Sequence, residues 1–159
     1  MKQITDHNNW QTGSLVALRF LIGWHLLYEG IFKLIHPDWS SLAFLAESKW
    51  IFSGIADWIS GNIAVLNAVD LLNTWGLIAI GTGLILGLFT RPAAIAGTVL
   101  LMLYYLFNPP FIGMESLVPR EGNYLIVNKT LIEAVVLLLL AVSPGARNFG
   151  LDRLIIKNK

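Results

Sequence analysis

Four apolar runs, Ser14–Ile35, Asp70–Phe89, Pro92–Phe107 and Tyr124–Val142, dominate this chain. At 1.5 Å per residue, helices of about 20 residues cross the roughly 30 Å of hydrocarbon in a bilayer; the third run needs its flanks or a thin local membrane to do so. Composition agrees with that reading. Of 159 residues, 55% are hydrophobic and 13% charged, and the mean hydropathy is +0.65, outside the range of soluble domains. The sequence therefore predicts one all-α domain over residues 1–159: an integral membrane four-helix bundle surrounded by lipid.

The first residues, with Lys2, Asp6 and His7 before Trp10, lack the short apolar core and cleavage site of a signal peptide, so the first run is expected to be retained. The chain has no cysteine, hence no disulfide, thiol relay or cysteine-ligated cluster of its own. Basic residues set the expected orientation. Lys2, Arg91, Arg147, Arg153, Lys157 and Lys159 lie in the two tails and the second turn. Asp38, Glu47, Asp57, Asp70, Glu115 and Glu121 outnumber Lys49 and Arg120 in the segments between. Both termini should face the cytoplasm. The basic residues are neither clustered nor interleaved with exposed aromatics, so no nucleic-acid partner is expected.

The first outer segment, 37–69, mixes Trp39, Phe44, Trp50, Phe52 and Trp58 with Glu47, Lys49, Asp57 and Gly61. That mixture predicts short interfacial helices, either an anchoring belt or a lid over a ligand site. Ala79, Gly83 and Gly87 on the second run, and Ala93 and Gly97 on the third, form small-residue stripes suited to close helix packing. Thr90-Arg91-Pro92 reads as a turn into the third helix, and Asn108-Pro109-Pro110 as its end.

Ionisable residues inside the runs are the main functional clue, because each costs a few kcal/mol in hydrocarbon unless it is paired or lines a polar site. At about 100° per residue, Arg19, His25, Glu29 and Lys33 share an arc of about 120° on the first helix. Asn128, Lys129 and Glu133 recur on the fourth. Depth counting pairs Glu29 with Lys129 and His25 with Glu133. Such pairs add little net stability, so a polar ligand or proton site is expected, although fixing helix register is the alternative. Candidate catalytic groups are Glu29, His25 and Glu133, with His25 suited to carry a proton. Candidate ligand-binding groups are Lys33, Lys129, Asn128, Tyr104 and Tyr105; the two tyrosines can equally be interfacial belt residues. Arg19 is expected to anchor by extending to headgroups. His25 and His36 lie eleven residues apart on one helix, about 16 Å along its axis, too far to flank one iron. No haem or other metal is expected, and no phosphate loop or nucleophile triad is visible.

Leu18-Arg19-Phe20 with Gly23, Tyr28-Glu29-Gly30-Ile31-Phe32-Lys33-Leu34, Gly87-Leu88-Phe89-Thr90-Arg91-Pro92, Asn128-Lys129-Thr130-Leu131-Ile132-Glu133-Ala134 and Gly150-Leu151-Asp152-Arg153-Leu154 occur in an order that resembles the DoxX family across nearly the whole chain. That family includes the DoxD-type membrane subunit of thiosulfate:quinone oxidoreductase. The resemblance implies an inner-membrane subunit that works beside a periplasmic oxidoreductase partner and helps pass electrons to the quinone pool, with a quinone as the suspected cofactor. A membrane anchor or scaffold for a periplasmic enzyme and a small proton-coupled transporter are the competing expectations. The oligomeric state stays open, a homo-oligomer included.

Overall fold

The computed structural model describes residues 2–110, 125–147 and 150–152. Its elements are α1 (Lys2–Ile35), α2 (Leu42–Ala46), α3 (Ser53–Ser60), α4 (Ile63–Leu86), α5 (Thr90–Phe107) and α6 (Lys129–Val142), followed by a 3₁₀ turn at Pro144–Arg147. Among the described residues every element is helical. Three helices are long and apolar enough to cross a membrane: Asn9–Ile35 within α1, all of α4 and all of α5. The expected outer loop after Pro110, Tyr124 and the basic tail from Arg153 lie outside the described residues.

Helix α1 begins at Lys2, ahead of the expected Ser14, and α5 at Thr90, ahead of Pro92; three further boundaries differ from the sequence expectation, each for a local reason. Helix α4 begins at Ile63 rather than Asp70, because the Asn62 side chain accepts from the amides of Ala64 and Val65 and caps the helix there. It ends at Gly87, which takes a left-handed φ of 63°. The Leu88 amide bonds back to Gly83 at 2.9 Å and the Gly87 amide to Leu84 at 3.3 Å, a Schellman closure that continues directly into α5. Helix α6 begins at Lys129 rather than Tyr124, with Asn128 accepting from Leu131 N–H as its cap. Its 14 residues span about 21 Å.

Helices α1, α4, α5 and α6 share one apolar core, in which Leu26, Leu77, Leu84, Leu137 and Leu140 are almost completely buried. The small-residue seam differs from the expected stripes: Ala79 is exposed, and Gly83 and Gly87 serve the α4–α5 turn. The α1–α4 contact runs instead through Gly23, Gly30 and Gly81. A Cβ on Gly81 would meet Leu27 N at 2.5 Å and the Gly23 carbonyl oxygen at 2.7 Å, so the two backbones touch. Gly97 keeps the close approach on the other side, facing Leu137 and Ile80.

A second, smaller core joins α2 and α3 to the first turns of α4 through Leu45, Ala56, Ile59 and Leu66. This cap is pinned by polar bonds. The Asp70 carboxylate accepts from the Ser40 hydroxyl at 2.8 Å, the Ser41 amide at 2.9 Å and the Ser41 hydroxyl. The Ser48 hydroxyl donates to Phe107 O, and the Asn108 amide to Phe44 O. Phe52 stacks on Phe107 with ring centroids 5.2 Å apart. Replacing Asp70 with alanine removes three bonds at one site and should loosen this cap without melting the main core. Amide exchange over residues 40–60 is expected to rise about tenfold, since an opening free energy lower by about 1.4 kcal/mol corresponds to that factor. Equal exchange in the variant and wild type would remove Asp70 as the pin.

Candidate functional site

A cavity of about 380 Å³ opens between α1 and α6 at the end of the molecule that carries α2 and α3. His25, Glu29 and Lys33 reach it from one face of α1, at the spacing that places them a turn or two apart. Asn128, Lys129, Thr130 and Glu133 reach it from the first turns of α6, and Tyr104 from α5. Leu26, Leu77 and Leu101 form its apolar wall. Hence seven of the eight side chains singled out from sequence line one cavity.

The internal geometry refines the expected pairing. His25 Nδ1 lies 3.9 Å from Glu133 Oε1, with side chains 32% and 18% exposed. That distance is an ion pair when the imidazole is protonated. Glu29 and Lys129 both line the cavity and are exposed, but no ion pair within 4 Å joins them among the described residues. Both side chains are exposed, so each charge is solvated without the other. Lys33, at the cavity wall, also reaches toward α4, its ammonium 3.3 Å from Asn73 Oδ1 and 4.7 Å from the Trp39 ring centroid. Tyr104 donates its hydroxyl to the same Asn73 oxygen.

Tyr105 is not brought to the cavity. Rotated about 100° from Tyr104 around α5, it is buried and donates to the carbonyl of Ile126 at 2.7 Å, holding the turn that precedes α6. It lies outside the cavity lining, and its burial sets it apart from an exposed belt residue. Arg19 also departs from expectation. It is 5% exposed, far from an anchor reaching into headgroups. Its guanidinium lies against Gly87 and Gly150, so that a Cβ on Gly87 would sit 2.8 Å from Nη1, and it feels the charge of Asp152.

Two contributors escaped the sequence reading. Asn73 is one of two side-chain amides on the apolar helix α4, with Asn67, and its only signal was its polarity. Asp152 was legible only as part of a motif. In the structure its carboxylate accepts from Phe89 N–H at 2.7 Å and Thr90 N–H at 2.9 Å, and its own amide donates to Gly87 O. The residue at the start of α5, Phe89, has no side-chain acceptor, so Asp152 caps the helix from 62 or 63 positions away.

Long apolar helices around a shared core define a helical membrane protein with a polar cavity at one end. A sequence model of the DoxX family matches residues 14–108, about three fifths of the chain, and the chain belongs to that family. The matched region runs from Ser14 within α1 to just past the end of α5 and excludes α6 and the Gly150–Asp152 segment. No curated protein and no solved structure matches the chain.

Proposed function

We propose that this DoxX protein is a bacterial inner-membrane subunit of an oxidoreductase system, which binds a quinone-like molecule in the α1–α6 cavity and helps transfer electrons from a periplasmic partner to the quinone pool. In this reading α6, extended by its flanks, crosses the bilayer with α1, α4 and α5, both termini are cytoplasmic, and α2 and α3 lie at the outer interface. The supporting observation is the cavity itself: an apolar wall with acids, ammonium groups, an imidazole and a phenol converging on it, which is the composition a small polar-headed ligand requires.

The donor set suits such a molecule. A bound quinone supplies a centre that accepts two electrons and two protons. Lys129 and Thr130 can donate to a carbonyl oxygen, while Lys33, tethered to Asn73, offers its remaining N–H groups. The His25–Glu133 pair can hold a proton beside the ligand, and Glu29, at the exposed side, can exchange one with water. The electrons come from a cofactor of the partner enzyme.

Glu29→Gln keeps the shape and removes the exchangeable charge. Binding of a short-tailed benzoquinone to the protein in nanodiscs should change little, because its carbonyls and the carboxylate both only accept, while quinone-dependent turnover of the complex should fall about a hundredfold, the smaller end of what a positioned proton-transfer group contributes. Unchanged turnover at normal membrane levels would take Glu29 out of the mechanism. Ion or proton flux through liposomes containing this chain alone would favour the transporter reading instead.

A further inference from the structure

Beside the polar cavity lies a second chamber of about 290 Å³, enclosed by α4, α5 and the α2–α3 cap, and its chemistry is the reverse. Leu45, Ile59, Val69, Leu100 and Phe107 make most of its wall, and none of its lining residues is charged. Its polar members are Ser41, Tyr104 and Asn73. Ser41 is committed to Asp70, and the Tyr104 hydroxyl to Asn73.

Asn73 has donors left over. An ammonium can only donate, so the Asn73 atom 3.3 Å from Lys33 Nζ is the carbonyl oxygen, and the amide orientation is thereby assigned. That oxygen already serves Lys33 and Tyr104. The NH₂ group on the same side chain carries two donors, accepted by no group among the described residues. Asn73 lines the apolar chamber and not the polar cavity, so the chamber is where an acceptor for that NH₂ can sit. The chamber opens sideways between Leu72 on α4 and Leu103 on α5, which are 73% and 42% exposed on helices long enough to span the membrane.

We propose that this chamber binds the uncharged part of a molecule dissolved in the bilayer, with its apolar body against Leu45, Ile59, Leu100 and Phe107 and a single carbonyl-type acceptor on the Asn73 amide. Entry is lateral, from the hydrocarbon. A charged headgroup stays outside the chamber, because the wall offers it no counter-charge and burial without one is costly. The volume sits near the lower bound of small-molecule pockets, about 300 Å³. This site is separate from the α1–α6 cavity and does not depend on a quinone binding there. A phospholipid acyl ester and a quinone carbonyl share the required chemistry.

Photo-crosslinking separates these sources. The full chain is placed in phosphatidylcholine vesicles that hold either a phosphatidylcholine with a diazirine on its acyl chain or a benzoquinone with a short diazirine-bearing tail. Adducts are then mapped by mass spectrometry. Adducts concentrated on Val69–Asn73 and Leu100–Tyr104 are expected from at least one probe, and the probe that gives them names the source. Filling the chamber with Leu100→Trp, or with Val69→Phe should the first variant fail to fold, is expected to lower those adducts at least fivefold. Asn73→Leu should lower them about fivefold, the factor that one hydrogen bond contributes. Adducts on the exposed α6 residues Val135 and Leu138 should not change in any variant. Adducts spread as densely over Val135 and Leu138 as over the chamber, or undiminished in the filled variant, would overturn the site. Quinone adducts confined to α1 and α6 would overturn it while leaving the polar-cavity reading intact.

Discussion

Gly81→Ala should cost this protein more stability than any other single methyl group added to α4. The new Cβ would lie 2.5 Å from Leu27 N and 2.8 Å from Leu27 Cα, both backbone atoms of α1. A flexible side chain could swing aside, but a helix backbone cannot. The two helices must therefore separate, and Gly23 and Gly30, whose own approaches to Leu84 and Ile78 depend on the same spacing, lose contact with them. In lipid no hydrophobic force restores the seam, since association rests on close dispersion contact and weak hydrogen bonds. Overpacking of this kind costs about 3 kcal/mol, which is at least a hundredfold in the folded-to-unfolded ratio. Gly76→Ala is the control on the same helix. A Cβ there meets nothing within 4 Å, and alanine is the better helix former by about 1 kcal/mol. Reversible unfolding in mixed micelles with rising dodecyl sulfate should order the proteins G76A, wild type, G81A. A G81A protein as resistant as G76A would refute the backbone-contact seam.

Asp152→Ala is expected to produce a loss of similar size about a turn and a half further along, where α4 turns into α5. One carboxylate satisfies two amides at the start of α5, Phe89 N–H and Thr90 N–H, and balances the buried Arg19. Its removal leaves two amides without their acceptor in a tightly packed turn and takes a favourable negative charge from the neighbourhood of the buried Arg19. Lost capping of two amides costs about 2 kcal/mol, and the weaker compensation of a buried charge adds to it. Asp152→Asn, which keeps an acceptor and loses the charge, should fall between wild type and alanine. The same micelle titration reads these differences. A double-mutant cycle with Arg19→Met tests the link, with a coupling of about 1 kcal/mol or greater expected for groups in one network. Additive effects would mean that Arg19 and Asp152 act separately.

Why some of this architecture was legible in the sequence and some was not comes down to the range of the interactions. The α1 face carrying His25, Glu29 and Lys33 follows from helical periodicity alone, and so does the close of α5 at Asn108-Pro109. The match in depth between His25 and Glu133 follows from counting 1.5 Å steps along two helices of opposite direction. The early start of α4 was signalled by Asn62 ahead of Ile63-Ala64-Val65, yet the surrounding Trp, Asp and Gly residues made the stretch read as interfacial. Register around a helix axis is harder. Tyr104 and Tyr105 are neighbours in sequence, but only packing decides which of them faces the cavity. The seam was placed on Ala79, Gly83 and Gly87 because four-residue spacing marks a stripe, whereas the contact is decided by which glycine another backbone touches. Asn73 and Asp152 were the least legible, since each owes its role to partners between 31 and 63 residues away.

The cap on α5 also has an order in time. Synthesis runs from the amino terminus, so Phe89 and Thr90 leave the ribosome 62 or 63 residues before the carboxylate that receives their amides. While α5 is being inserted, its leading amides are held by water or by the insertion machinery. Closure of the turn over Arg19 is therefore a late step of biogenesis, reached only after α6 has been laid down. A nascent chain stalled short of Gly150 would be inserted but unlatched, and quality-control proteases that test membrane proteins for loose ends would meet it in that state.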